Sequence, residues 1–165
     1  MKNGRRLDRP PDPFEPPVTP EGRINVTDPD SHVVKGLRGF LQGHNAQAVA
    51  TEQQVVLAAE IETVAADFGH LEPMLQATGR ELAAAGVHDT PDVVSADAGH
   101  WHGEQMQRIT EQGIELLIPP DTRPTRRNWE GGRYQQMREL LATERGSELY
   151  RKRQPMIEPV FARMK

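Results

Sequence analysis

Two acids and a run of phosphate-binding side chains stand out by type and spacing. Glu158 lies in YRKRQPMIEPVFARMK, residues 150–165, with Tyr150, Arg151, Lys152 and Arg153 before it and Lys165 after it. A carboxylate held among such groups suits metal-assisted chemistry on a nucleic acid: Arg153 can fork onto a phosphate and Tyr150 can offer its hydroxyl. The second acid, Asp97, stands where the apolar run at residues 93–96 ends. In open α/β sheets, active groups gather at the carboxyl ends of strands. Two or three such acids can hold a pair of Mg²⁺ ions about 3.5–4 Å apart, because Mg²⁺ is a hard ion that prefers oxygen. Each residue also has a plainer reading. An Asp after a strand is commonly a turn former or helix cap, and charges at a helix end are commonly solvated ion pairs.

These side chains need elements to position them. Residues 1–31 hold seven of the fourteen prolines and read as a linker arm. Residues 40–49 and 54–61 read as an antiparallel hairpin turning at 51–53. Residues 71–86 place Leu71, Met74, Leu75, Leu82 and Ala85 at helical spacing and stop at Gly86. A strand at 92–96, a helix at 103–113 stopped by Gly113 and a strand at 114–119 complete a βαβ order. Pro155 and Pro159 are tolerable together only in a first turn, so the last helix is expected to start near Pro155 or Met156. Glu158 then sits near its N-terminus, and Tyr150–Arg153 occupy a separate turn. Lys165 falls within about 20° of Glu158 on one face, and Phe161 belongs to the core. The expected fold is α/β: a mixed sheet with flanking helices, the strand at 92–96 parallel to its neighbour.

Composition narrows the classes. A chain of 165 residues with 36% hydrophobic content can bury one modest core. With no cysteine, thiolate chemistry and disulfides are excluded, which fits a cytoplasmic location. No apolar run reaches the roughly 18 residues that span a bilayer, and no signal core opens the chain. The net charge of −4 conceals a division. Residues 1–120 carry 9 Lys+Arg against 18 Asp+Glu, whereas residues 121–165 carry 11 against 6. Phosphate contacts are therefore expected from the C-terminal part.

Five segments carry a family resemblance: NVTDPDS (25–31), GHNAQAV (43–49), ADAGHW (96–101), GIELLIPP (113–120) and Y-x2-R-x4-E-P-V-F-x3-K (150–165). In this order they resemble the DDE transposases of insertion sequences. The resemblance covers about residues 23–165. It implies an RNase H-like catalytic domain that binds two Mg²⁺ ions and cuts and rejoins DNA at the element's inverted repeats. By the motif, Asp97 corresponds to the family's second acid and Glu158 to its third. Tyr150, Arg153 and Lys165 correspond to its DNA-contacting signature. The family's first Asp has no counterpart here, and the chain looks truncated at both ends. The implied expectation is a partial domain at 32–165 that is inactive alone in strand transfer, acting with DNA, with a further copy or with an intact transposase.

Two rival readings follow from the residues. A non-catalytic remnant would still bind DNA, or would pair with intact transposase through a sheet edge it leaves open. Alternatively Asp97, His100 and His102, within six residues, would ligate a metal in a hydrolase. Asp28 and Asp30 belong to a DPDS turn, not to the missing acid.

Overall fold

The computed structural model describes residues 25–36, 39–120 and 131–163. Lys165 and nearly all of the 1–31 arm lie outside the described residues. The described elements are β1 (His32–Gly36), β2 (Gly39–Gly43), β3 (Asn45–Ala50), β4 (Val56–Glu62), α1 (Leu71–Ala84), β5 (Val93–Ser95), α2 (Gly103–Glu111), β6 (Glu115–Leu117), α3 (Gly132–Ala142) and α4 (Glu144–Arg163). A single 3₁₀ turn, Ala98–His100, follows β5. The α/β class is as expected. The strands, however, form three separate two-stranded pairings, β1–β2, β3–β4 and β5–β6, rather than one mixed sheet.

The parallel pair β5–β6 carries the core. Its ladder joins Val94 to Leu116, with Ala96 N–H donating to the Leu117 carbonyl at 3.2 Å. Ile118 and Leu117 are wholly buried, and Met106 and Ile109 of α2 pack with Ile114 and Leu116. Near-continuous apolar sequence at 114–118 reflects burial on both faces, as parallel strands require. Helix α1 joins this core to the β3–β4 hairpin. Leu71 belongs to the parallel unit's cluster, while Met74 and Ala77, on the same helical stripe, pack on Ala58 of β4. Burying each of Leu71 and Met74 contributes about 1.5–3 kcal/mol. Gly86 ends α1 as its spacing predicts, at φ +77°. Its N–H donates to the Ala83 carbonyl and that of Val87 to Leu82, so two orphaned carbonyls are satisfied.

Three expectations are corrected. The strand expected at 40–49 is two strands broken at His44: β2 pairs with β1, and only β3 pairs with β4. His44 leaves the ladder, and its Nε2 lies 3.0 Å from Asp28 Oδ2, at the DPDS turn closed by Ser31 N–H onto the Asp28 carbonyl. Helix α3 was not anticipated. Helix α4 does not begin at the prolines but runs through both, so Tyr150–Arg153 lie on the same helix as Glu158.

The reason the helix survives is visible at Pro159. Lacking an N–H, Pro159 leaves the Pro155 carbonyl without its intrahelical donor. Gln54, in the β3–β4 turn, donates its side-chain amide to that carbonyl at 3.0 Å. The other end of the same amide accepts from Arg163 Nη2 at 3.0 Å, and Lys152 pairs with Glu52 at 3.1 Å. The turn therefore clamps α4 across the molecule. A bidentate pair, Arg145 with Glu115, fixes its other end to β6 at 2.6 and 2.7 Å. Among the described residues no helix is long and apolar enough to cross a membrane.

Candidate metal and phosphate site

Asp97 does stand at the carboxyl end of β5, and the chain turns there because of it. Its Oδ1 accepts the Gly99 N–H at 3.0 Å, capping the 3₁₀ turn that returns His100 toward it. His100 Nδ1 lies 3.2 Å from the same oxygen, and His100 Nε2 lies 3.0 Å from Gln47 Oε1 on β3. The Gln47 amide nitrogen is committed elsewhere, donating to Asp67 Oδ1 at 2.7 Å and to Asn45 Oδ1 at 3.0 Å. Its oxygen must then face His100. Both ring nitrogens of His100 are thus engaged by protein partners.

The network thus links β3, the loop before α1 and the turn after β5. Asn45 adds a second bond to Asp67 Oδ1 at 3.1 Å. Ligand atoms of Asp67, Asp97 and His100 all lie within 4.8 Å of one another. Oδ1 of each acid accepts from protein donors, which fixes both carboxylates in place. Gly99 leaves both carboxylates room that a side chain would take. A Cβ there would meet Asp67 Oδ2 at 3.0 Å and Asp97 Oδ1 at 3.1 Å. The hydrogen bond from His100 holds the Asp97 carboxyl below its ordinary value, against the opposing effect of burial; the Gly99 N–H and the charge of Arg153 add to the lowering. The donor set is two carboxylates at the edge of a cavity, which fits a hard divalent ion.

The basic residues divide. Arg153 faces inward with Asp97 onto a cavity of about 510 Å³. Its guanidinium lies 5.5 Å from the Tyr150 ring, and its Nε is buried without a hydrogen-bond partner. Lys152, also at the cavity, is paired with Glu52. Arg151 is exposed and reaches Ser147 at 3.4 Å. Glu158 is exposed, accepts from Gln154 Nε2 at 2.7 Å, and stands outside the Asp67–Asp97–His100 group. Phe161 lines the cavity.

His102 is likewise outside the group. Its Nδ1 accepts from the Gln105 N–H at the start of α2, and its ring stacks on Phe68 at 4.6 Å. The three-ligand set Asp97, His100 and His102 is therefore not assembled. Asp67 escaped the sequence reading because it lies in a loop with no periodic pattern. The only local hint was an acid beside Gly69 just before a helix. No family model, curated protein or solved structure matches this chain.

Proposed function

We propose that the chain is a DNA-processing module of the DDE-transposase kind, holding a DNA phosphodiester through a divalent ion at Asp67 and Asp97. The observation that carries the reading is the pairing of two clustered carboxylates with a buried, unpartnered arginine Nε on one cavity. When bound, a divalent ion supplies Lewis-acid polarisation of a phosphate oxygen and a more acidic water. Asp67 and Asp97 hold it. Gln47, Asn45 and His100 fix the orientation of both acids, so no reorganisation is needed on binding. Arg153 neutralises phosphate charge from across the cavity, where partial burial strengthens the attraction. Exposed Arg151 extends the contact along the backbone, and Lys152 would join it on leaving Glu52.

In this reading the RNase H-like description applies to the β3–β4 hairpin, α1 and the β5–α2–β6 unit. Glu158 would join the ion only after a rearrangement of α4. With that acid out of the group, the polypeptide alone is expected not to complete strand transfer, although an intact transposase or a second copy could use its DNA contacts. The exposed position of Glu158 favours one second reading, a remnant that binds DNA without cutting it.

Calorimetric titration with Mn²⁺ and Mg²⁺ tests the site. Asp97→Ala is expected to weaken Mn²⁺ binding more than about 100-fold, since it removes a direct ligand. Equal binding by wild type and Asp97→Ala would sink the proposal. Divalent-dependent cutting of a duplex carrying element ends, lost in Asp97→Ala, would instead show that the chain is active as it stands.

A further inference from the structure

The cavity beside Asp97 is bounded by two strand edges. Residues 46–52, running along β3 and past its end, line one side, and residues 93–97, along and past β5, line the other. Side chains alternate across a strand, so a run of consecutive lining residues means that the backbone edge faces the space, not one pleated face. Among the described residues β3 pairs only with β4, and β5 only with β6.

The β5–β6 ladder gives the direction. The Asp92 carbonyl accepts from Glu115, and Ala96 N–H donates to Leu117. In a parallel ladder alternate residues bond to one neighbour, so even-numbered residues of this strand turn to β6. The N–H and C=O of Val93 and Ser95 then point the opposite way, into the cavity. Its floor and roof are apolar, formed by Leu57, Met74 and Leu75 on one side and Met156, Ile157 and Phe161 of α4 on the other.

We infer that this slot binds an extended apolar polypeptide segment as a strand between β3 and β5, supplied from outside residues 1–165. The occupant needs free N–H groups on both edges and apolar side chains above and below, as a buried central strand does. The chain outside the described residues does not supply it. Residues 1–24 carry six prolines, which cannot donate to a ladder, and residues 121–130, DTRPTRRNWE, are mostly polar. The inference stands apart from the metal reading, because it uses the two edges and not the carboxylates.

The test uses the full chain with EDTA present, so that metal binding plays no part. A panel of eight-residue peptides alternating Val, Ile or Leu with Thr, with a terminal Lys at each end, is titrated by fluorescence anisotropy. Amide hydrogen exchange is followed at each residue. At least one peptide is expected to bind saturably and to slow exchange at Val93 and Ser95 at least about tenfold. Methylating alternate peptide nitrogens is expected to weaken that binding at least about tenfold, since ladder bonds are lost. Three results overturn the inference: no binding across the panel, equal binding by methylated peptides, or slowing confined to other segments such as β1–β2.

Discussion

Asp97 and Glu158 are both acids in motif-like settings, but their surroundings differ in kind. Asp97 is gripped by a turn it caps, by His100 and, through Gln47, by a strand fifty residues away in sequence. Glu158 rides on an exposed stripe of α4, where its bonding partner is a residue one turn back on the same helix. Both carboxylates have local partners, but His100, which holds Asp97, is itself tied to another strand, whereas Gln154, which holds Glu158, lies on the same helix. An acid becomes a preorganised ligand when the groups that hold it are themselves anchored by other elements.

The difference can be broken from several directions. Gly99→Ala places a methyl group within about 3 Å of both Asp67 and Asp97, and Gln47→Leu removes the shorter of the two β3 bonds to the loop acid and the contact with His100. Each is expected to reduce Mn²⁺ affinity about 10–100-fold with the fold retained by circular dichroism. Unchanged affinity in both would mean that the network does not position the acids.

A smaller effect concerns how α4 is held over the site. Pro159→Ala restores an N–H for the Pro155 carbonyl, which makes the bond from Gln54 partly redundant. Gln54→Ala is expected to cost about 1 kcal/mol in the wild type and markedly less beside Pro159→Ala. A double-mutant cycle from urea unfolding reads the coupling; additive values would show that Gln54 does not serve the helix.

Acid titration probes Asp97 in the absence of metal. Its carboxyl is depressed in the folded chain, so the stability it contributes is complete above the unfolded carboxyl value and is lost as pH falls through the lower folded value. The stability gap between wild type and Asp97→Asn should accordingly be present at pH 6 and shrink on acidification below the ordinary Asp range. A gap that grows on acidification contradicts the His100 bond as its source. The least effect is expected from Glu158→Ala, with Mn²⁺ affinity changed less than about threefold. A loss as large as that of Asp97→Ala would show that α4 moves to bring Glu158 onto the ion.

Much of the parallel unit was legible in sequence. The apolar run ending at Asp97, the helix stopped by Gly113 and the strand after it are each specified by local pattern, and Gly86 marked the end of α1 where φ is positive. Other features depended on partners that no local pattern reveals. Helix α4 passes Pro159 with a side chain from a distant turn in place of the missing donor. Asp67 enters the site because Asn45 and Gln47 reach it, two residues whose own positions in a strand announce nothing. The 40–49 segment reads as one alternating strand, yet His44 is drawn off by Asp28 and the ladder breaks there. β1–β2 also leaves Phe40 76% exposed, so apolar content alone did not mark the core.

Gln54 carries a backbone φ of 62°, which side chains other than glycine rarely adopt. Glycine would relax that strain and lose both amide contacts; asparagine tolerates the conformation but is one methylene shorter. Position 54 is thus caught between two demands that few residue types meet together. In a saturation scan it should appear as intolerant as a core position while lying on the surface, and its tolerance should widen once Pro159 is replaced.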